Sequence, residues 1–167
     1  MRTNSTNTIL SRGLSGLSLI LYVLAFPNKL FPSGIGILSL FALAPVFCAL
    51  RSMRPLAALA AGFVFGALAY SAISFWLFAY HPAALVVSAL VAGLWFSLAF
   101  CALACANALG PVLGFIASAC IWAACELGRS SGTLAFPYGT LPYALYLYRL
   151  PLQAASFVGT AGLSLII

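Results

Sequence analysis

Long apolar runs broken by short polar punctuation make up most of the chain, and their lengths fit neither amphipathic surface helices nor alternating strands. A polar stretch rich in Asn, Thr and Ser occupies residues 1–11 and is expected to be a flexible tail. After it, the pattern predicts membrane-crossing helices at about 12–26, 35–50, 56–80, 84–106, 112–127 and 151–167. The breaks fall at Pro27-Asn28-Lys29, at Arg51 to Pro55, at His81-Pro82 and at Gly110-Pro111. A Gly-, Pro- and Tyr-rich loop at 128–150 separates the fifth run from the sixth. The run from Leu56 to Tyr80 is the clearest. It carries no charge, and its ten Leu, Ile, Val and Phe residues contribute about −3 to −6 kcal/mol on an insertion scale. Residues 12–167 are thus read as one all-α, polytopic membrane domain of about six transmembrane helices.

Composition strengthens this reading. Hydrophobic residues make up 65% of the 167, charged residues only 5%, and mean hydropathy is +1.17. A chain this poor in charge cannot clothe itself for water, so most of its surface faces lipid or other helices. The seven cations, Arg2, Arg12, Lys29, Arg51, Arg54, Arg129 and Arg149, are scattered as span-flanking anchors. A nucleic-acid partner is not expected, since such proteins gather their cations on one face. Four cations fall on the side of the N-terminus and three on the other, a slight bias that places the N-terminus in the cytoplasm. Arg2 and Arg12 ahead of the first apolar run also suggest a signal peptide, but Phe26-Pro27-Asn28-Lys29 offers no small-residue cleavage motif. The chain stops at Ile167 while still apolar, and it is expected to be truncated or one part of a longer design.

The chemistry available is narrow. Glu126 is the sole acidic side chain, so a two-carboxylate mechanism or an Asp-oriented His is excluded for this chain alone. Glu126 and Arg129 are three apart and share one helical face, close enough to pair. Their functional reading is contact with a lipid headgroup or a catalytic domain above; their structural reading is a self-neutralising pair. The five cysteines lie in apolar runs and read as small buried hydrophobes. Cys101 and Cys105 could share a face, yet the only histidine, His81, lies in a different loop, so no metal site and no cofactor are expected. His81, beside Trp76 and Tyr80, reads as an interfacial residue. Phe136-Pro137-Tyr138-Gly139 forms a rigid aromatic turn suited to docking a domain or contacting lipid. Gly62-xxx-Gly66 and Gly110-xxx-Gly114 have the small-residue spacing that lets helices pack closely.

Taken in order, several of these stretches resemble a family. They are Phe26-Pro27, Phe41 to Pro45, Arg51, Gly62 to Gly66, Trp76 and His81, then Trp122-xxx-Glu126-xx-Arg129, Phe136 to Gly139 and Tyr143. Leu152 to Ser156 and Gly159-xx-Gly162-Leu-Ser164 complete the series. The string is similar to the N-terminal membrane domain of bacterial apolipoprotein N-acyltransferase, with Tyr138 where that family usually shows Trp and Leu141-Pro142-Tyr143 in place of Leu-Gly-Tyr. The resemblance implies the bacterial inner membrane and the last step of lipoprotein maturation. There a phospholipid acyl chain passes through a thioester to the N-terminal cysteine amine of a diacylglyceryl lipoprotein. It also implies that chemistry belongs to a nitrilase-like domain with a Glu-Lys-Cys triad. With one Glu and one Lys, Lys29, the chain offers no position for that triad. The expected role is a scaffold in contact with membrane lipids. It would hold a catalytic domain on a separate or continuing chain, with the lipoprotein as an indirect substrate. A small transporter or assembly subunit would need polar residues along a mid-span path, and the spans offer little beyond Ser, Asn107 and Gln153. A non-functional remnant is the third reading.

Overall fold

A computed structural model describes residues 2–132 and 135–167, with side chains from residue 9 onward. The described residues form helices and no strands. Helix α1 (Arg2–Ala25) is helical from Arg2, so helical backbone runs through the stretch expected as a polar tail. A 3-10 turn, Gly36–Leu38, leads into α2 (Ser39–Ala42) and α3 (Ala44–Leu50). Helix α4 (Pro55–Ile73) is followed by the short α5 (Leu77–Tyr80) and then by α6 (Pro82–Ala106). Helix α7 (Pro111–Arg129), the one-turn α8 (Leu141–Ala144) and α9 (Arg149–Ile166) complete the chain.

Three of these segments, Pro55–Ile73, Pro82–Leu109 and Pro111–Arg129, are long and apolar enough to cross a membrane. Nineteen helical residues reach about 28 Å, close to the thickness of a hydrocarbon core. Two further apolar segments, Ile9–Ala25 and Gly36–Leu50, are shorter. The helices therefore differ from the six expected crossings in three places. The 35–50 run is broken between Ala42 and Ala44, where Pro45 lacks the N–H that would bond Phe41 and its ring crowds that carbonyl. The 56–80 run stops at Ile73 and re-forms at Leu77, and the turn between them sets Trp76 edge-on to Tyr138 at 6.3 Å. No glycine or proline marks that break, and the ring contact beside it joins residues 62 positions apart. The last run is interrupted at Gly159, whose φ of +69° suits glycine and is not helical. The 128–150 loop contains α8, the last two residues of α7 and the first two of α9.

Each of the three long helices opens on a proline (Pro55, Pro82, Pro111), where the missing N–H has no helical partner to lose. His81 caps α6: its Nδ1 accepts the Ala83 N–H at 3.1 Å. Gly110, at φ +85°, turns the chain into α7 and meets nothing within 4 Å, while a Cβ on Gly114 would lie 3.0 Å from the Ala106 carbonyl.

Helices α4 and α6 run antiparallel in close contact. A Cβ at Gly62 would stand 2.4 Å from the Phe96 carbonyl oxygen, and one at Gly66 would stand 2.7 Å from that of Ala92. The Ser97 hydroxyl donates across the seam to the Leu59 carbonyl at 2.8 Å. Beside this seam lies an aromatic core. Phe65 stacks on Phe96 at 5.5 Å, while Tyr22 and Trp122 meet Phe96 edge-on at 5.8 and 5.6 Å. The outward faces carry exposed Leu, Val, Ile and Phe, as lipid contact requires. The cysteines correct an expectation. Cys48, Cys105 and Cys120 lie exposed on outward faces and Cys101 and Cys125 are half-buried, because a thiol is apolar enough to face hydrocarbon.

Replacing Gly62 by Leu forces α4 and α6 apart. The expected loss is at least about 1–3 kcal/mol of stability, read as a lower unfolding midpoint in detergent, with Gly13→Leu, which meets open space, close to wild type.

Candidate functional site

Helix α7 carries Glu126 and Arg129 on one face, three residues apart, and turns both inward; they are 3% and 6% exposed. Their side chains approach to 3.6 Å between Arg129 Nη2 and Glu126 Oε1. Hydrogen bonds to the Phe136–Leu141 loop are closer. Arg129 Nη2 donates to the Gly139 carbonyl at 2.7 Å and Nη1 reaches the Tyr138 carbonyl at 3.4 Å. Glu126 Oε1 accepts the Leu141 N–H at 2.8 Å, and Oε2 accepts the Ser164 hydroxyl of α9.

Two tyrosines complete the arrangement. The Tyr70 hydroxyl of α4 donates to the Tyr138 carbonyl at 2.5 Å, and the Tyr22 hydroxyl of α1 donates to the Gly139 carbonyl. The rings of Tyr70 and Phe96 also lie under the guanidinium, 5.4 and 5.6 Å from its carbon. The physical demand is clear: non-helical backbone inside an apolar bundle has to find its hydrogen bonds in protein. Four helices and one loop thereby meet at a single polar centre.

The loop itself admits little variation. Gly139 has φ +81°, and a Cβ there would stand 2.8 Å from both the Tyr70 hydroxyl and Ile73 Cδ1. Phe136 is bonded back to α7 through its N–H to the Arg129 carbonyl at 2.9 Å, and its ring packs on Tyr70 at 6.0 Å. Pro137 is exposed and Tyr138 half-buried. Burial, and next the neighbouring Tyr146, hold the Tyr138 phenol above its usual pKa.

The arrangement is held by the chain's own atoms. Both Glu126 oxygens and both terminal Arg129 nitrogens are engaged by the chain itself. The void beside them, between Trp95, Trp122 and Cys125, measures about 10 Å³, too small for a substrate group. A larger apolar cavity of about 300 Å³ lies along α6, with Val87, Val91 and Trp95 of that helix and Tyr70, Leu77, Phe136 and Arg129 on its walls. Of the residues singled out from sequence, the structure gathers Glu126, Arg129, Phe136 and Tyr138 here, with Pro137 on the loop's exposed side; Gly62 and Gly66 lie in the α4–α6 seam, and Gly110 and Gly114 at the start of α7. Tyr22 and Tyr70 escaped attention. Their signal was a hydroxyl placed inside an otherwise apolar run, which needs a partner once buried.

Comparison with known proteins places the sequence in one family. The family described as "Apolipoprotein N-acyltransferase N-terminal domain" matches residues 18–167. "Apolipoprotein N-acyltransferase 1" of Treponema pallidum (strain Nichols) is 32% identical over 143 residues, covering 86% of this chain and 26% of that protein. The protein of the same description from Treponema denticola is 26% identical over 154 residues, 92% of this chain and 28% of that one. "Apolipoprotein N-acyltransferase 2" of T. pallidum is 31% identical over 158 residues, with the same two shares. The chain thus spans about a quarter of the length of the curated relatives it matches. No solved structure matches.

Removing the carboxylate leaves a buried guanidinium uncompensated. Glu126→Ala is expected to lose about 3–5 kcal/mol of stability, seen as a lowered unfolding midpoint in detergent, with Glu126→Gln intermediate because its amide oxygen still accepts from Leu141.

Proposed function

The chain belongs to the family of apolipoprotein N-acyltransferase N-terminal domains, and on that premise we propose that it is the membrane-embedded scaffold of such an acyltransferase. In this reading it anchors a nitrilase-like catalytic region, carried on a continuing or a separate chain, and transfers no acyl group alone. That region moves a phospholipid acyl chain to the N-terminal cysteine of a diacylglyceryl lipoprotein. The observation that carries the proposal is the internal polar centre: Arg129 bonds the Tyr138 and Gly139 carbonyls, and Glu126 bonds the Leu141 N–H and the Ser164 hydroxyl. The void beside Glu126, about 10 Å³, leaves no room for a substrate group at its carboxylate. This centre fixes a loop instead, and presents Pro137 and Tyr138 as a rigid platform for another domain.

The 300 Å³ cavity along α6 supports a second part of the role, a path for lipid chains from the bilayer toward that platform. Its walls are largely Val, Leu and aromatic side chains, which suit hydrocarbon. In the proposed topology α4, α6 and α7 cross the bacterial inner membrane fully, and α1, the Gly36–Leu50 segment and α9 fill out about six passes. Cation balance supports a cytoplasmic N-terminus: Arg12, Arg51 and Arg54 flank spans at one end, with Lys29 and Arg149 at the other. Arg129 adds nothing to that second end, because Glu126 neutralises it.

Purified chain mixed with phospholipid and a diacylglyceryl lipopeptide is expected to yield no N-acylated product by mass spectrometry. A nitrilase-like catalytic region produced with it should co-purify, and Tyr138→Ala should lower that retention at least about tenfold while the helical circular dichroism holds. Robust turnover by the chain alone, lost on replacing one of its cysteines, would overturn the scaffold role.

A further inference from the structure

At the end of the bundle opposite the polar centre, α1 and the start of α4 enclose a groove of about 910 Å³. Two arginines line it, Arg12 from α1 and Arg54 just ahead of α4, and both are exposed. Beyond them the groove turns apolar. Ala57, Ala61, Val64 and Leu68 form one stripe down α4 at helical spacing, about 17 Å long, on the scale of a fatty-acyl chain. Leu19 forms the opposing wall on α1, and Gly16 leaves open the space a side chain would fill: nothing lies within 4 Å of its Cβ position.

Charge argues for what fills this groove. The chain contains one carboxylate side chain, Glu126, and it is buried in its pair with Arg129 near the far end of α7. No side-chain anion of this chain is left to neutralise Arg12 and Arg54. Two guanidinium forks at the mouth of an apolar trough match a phosphate joined to an acyl chain. Free phosphate would leave the trough empty. A neutral apolar helix would leave the arginines unanswered. Hydroxyl chemistry refines the choice. Ser15 Oγ donates to the Ser11 carbonyl at 2.9 Å and Ser52 Oγ to the Ala49 carbonyl at 3.0 Å, so both oxygens at the groove retain only acceptor capacity. They suit a headgroup that brings hydrogen-bond donors of its own, while the net charge of Arg12 and Arg54 favours one that is anionic overall.

We infer that the α1–α4 groove is a binding site for one anionic phospholipid of the phosphatidylglycerol class, its phosphate between Arg12 and Arg54 and an acyl chain along Ala57 to Leu68. The site is separate from the α6 cavity beside Arg129 and does not depend on the acyltransferase reading. Its occupant seals the seam between α1 and α4 that the protein's own side chains leave open.

Native mass spectrometry of the chain in mild detergent, titrated separately with phosphatidylglycerol and phosphatidylethanolamine, tests this. One phosphatidylglycerol per chain should be retained at saturation, at least about tenfold more tightly than phosphatidylethanolamine. The double variant R12Q/R54Q should weaken retention about tenfold or more, and Gly16→Leu, which fills the trough and keeps the charge, at least about fivefold. Arg149→Gln, at the other end of the bundle, should leave retention unchanged. Each variant is compared at matched helical circular dichroism. Equal retention of the two lipids, indifference to Gly16→Leu, or loss in R149Q equal to that in the double variant would mean unspecific surface lipid and overturn the inference. Displacement by excess inorganic phosphate, or a dimer of chains in place of the lipid adduct, would overturn it as well.

Discussion

A buried guanidinium cannot shed its charge at any ordinary pH, so its surroundings have to be built from oxygen atoms and π-faces. Around Arg129 those are the Tyr138 and Gly139 carbonyls, the Glu126 carboxylate and the rings of Tyr70 and Phe96. Much of the fold at this end follows from that need. The carbonyls are available because the Phe136–Leu141 backbone leaves helical geometry inside the bundle, and Gly139 is glycine because Tyr70 and Ile73 fill the space above it. The only acid in the chain stands where its charge offsets the arginine and its second oxygen reaches α9 through Ser164. Burying such a pair is not in itself a gain in stability. Its value here is register: α1, α4, α7, α9 and the loop are fixed to one another at one point.

The two ends of the bundle consequently differ in kind. At one, charge is internal, paired and inaccessible. At the other, Arg12, Arg51 and Arg54 are exposed, and the one acidic side chain in this sequence is buried at the opposite end. Between the ends, α4 and α6 are joined by backbone contact at Gly62 and Gly66, which is how helices hold together where burial from water supplies no drive. α1 packs less tightly on α4, leaving the groove by Gly16, so the bundle is tight on one flank and open on another.

Much of this was legible in the residues themselves. Apolar run length located α4, α6 and α7, since each is long, uninterrupted and bounded by proline. The three-residue spacing of Glu126 and Arg129 placed both on one face, and the Phe136–Gly139 string marked a constrained turn. What could not be read was long-range. Tyr22 and Gly139 are 117 positions apart, and nothing near Tyr22 tells which carbonyl its hydroxyl meets. The end of α4 was hidden for a related reason: just past Ile73, Trp76 meets Tyr138, and hydropathy is blind to such contacts. Pro45 and Gly159 were visible as residues, but a proline or glycine in an apolar run can kink a helix or end it, and neighbouring helices decide which.

The prolines that open α4, α6 and α7 carry a mechanical consequence. Pro55, Pro82 and Pro111 each open a helix, and winding a further turn ahead of the ring costs about 3 kcal/mol through the missing N–H and the backward clash. A bilayer that thickens recruits extra residues at those boundaries only at that cost. Adjustment to hydrophobic mismatch is left to tilt, and the backbone contact between α4 and α6 makes the two helices lean together as one plank.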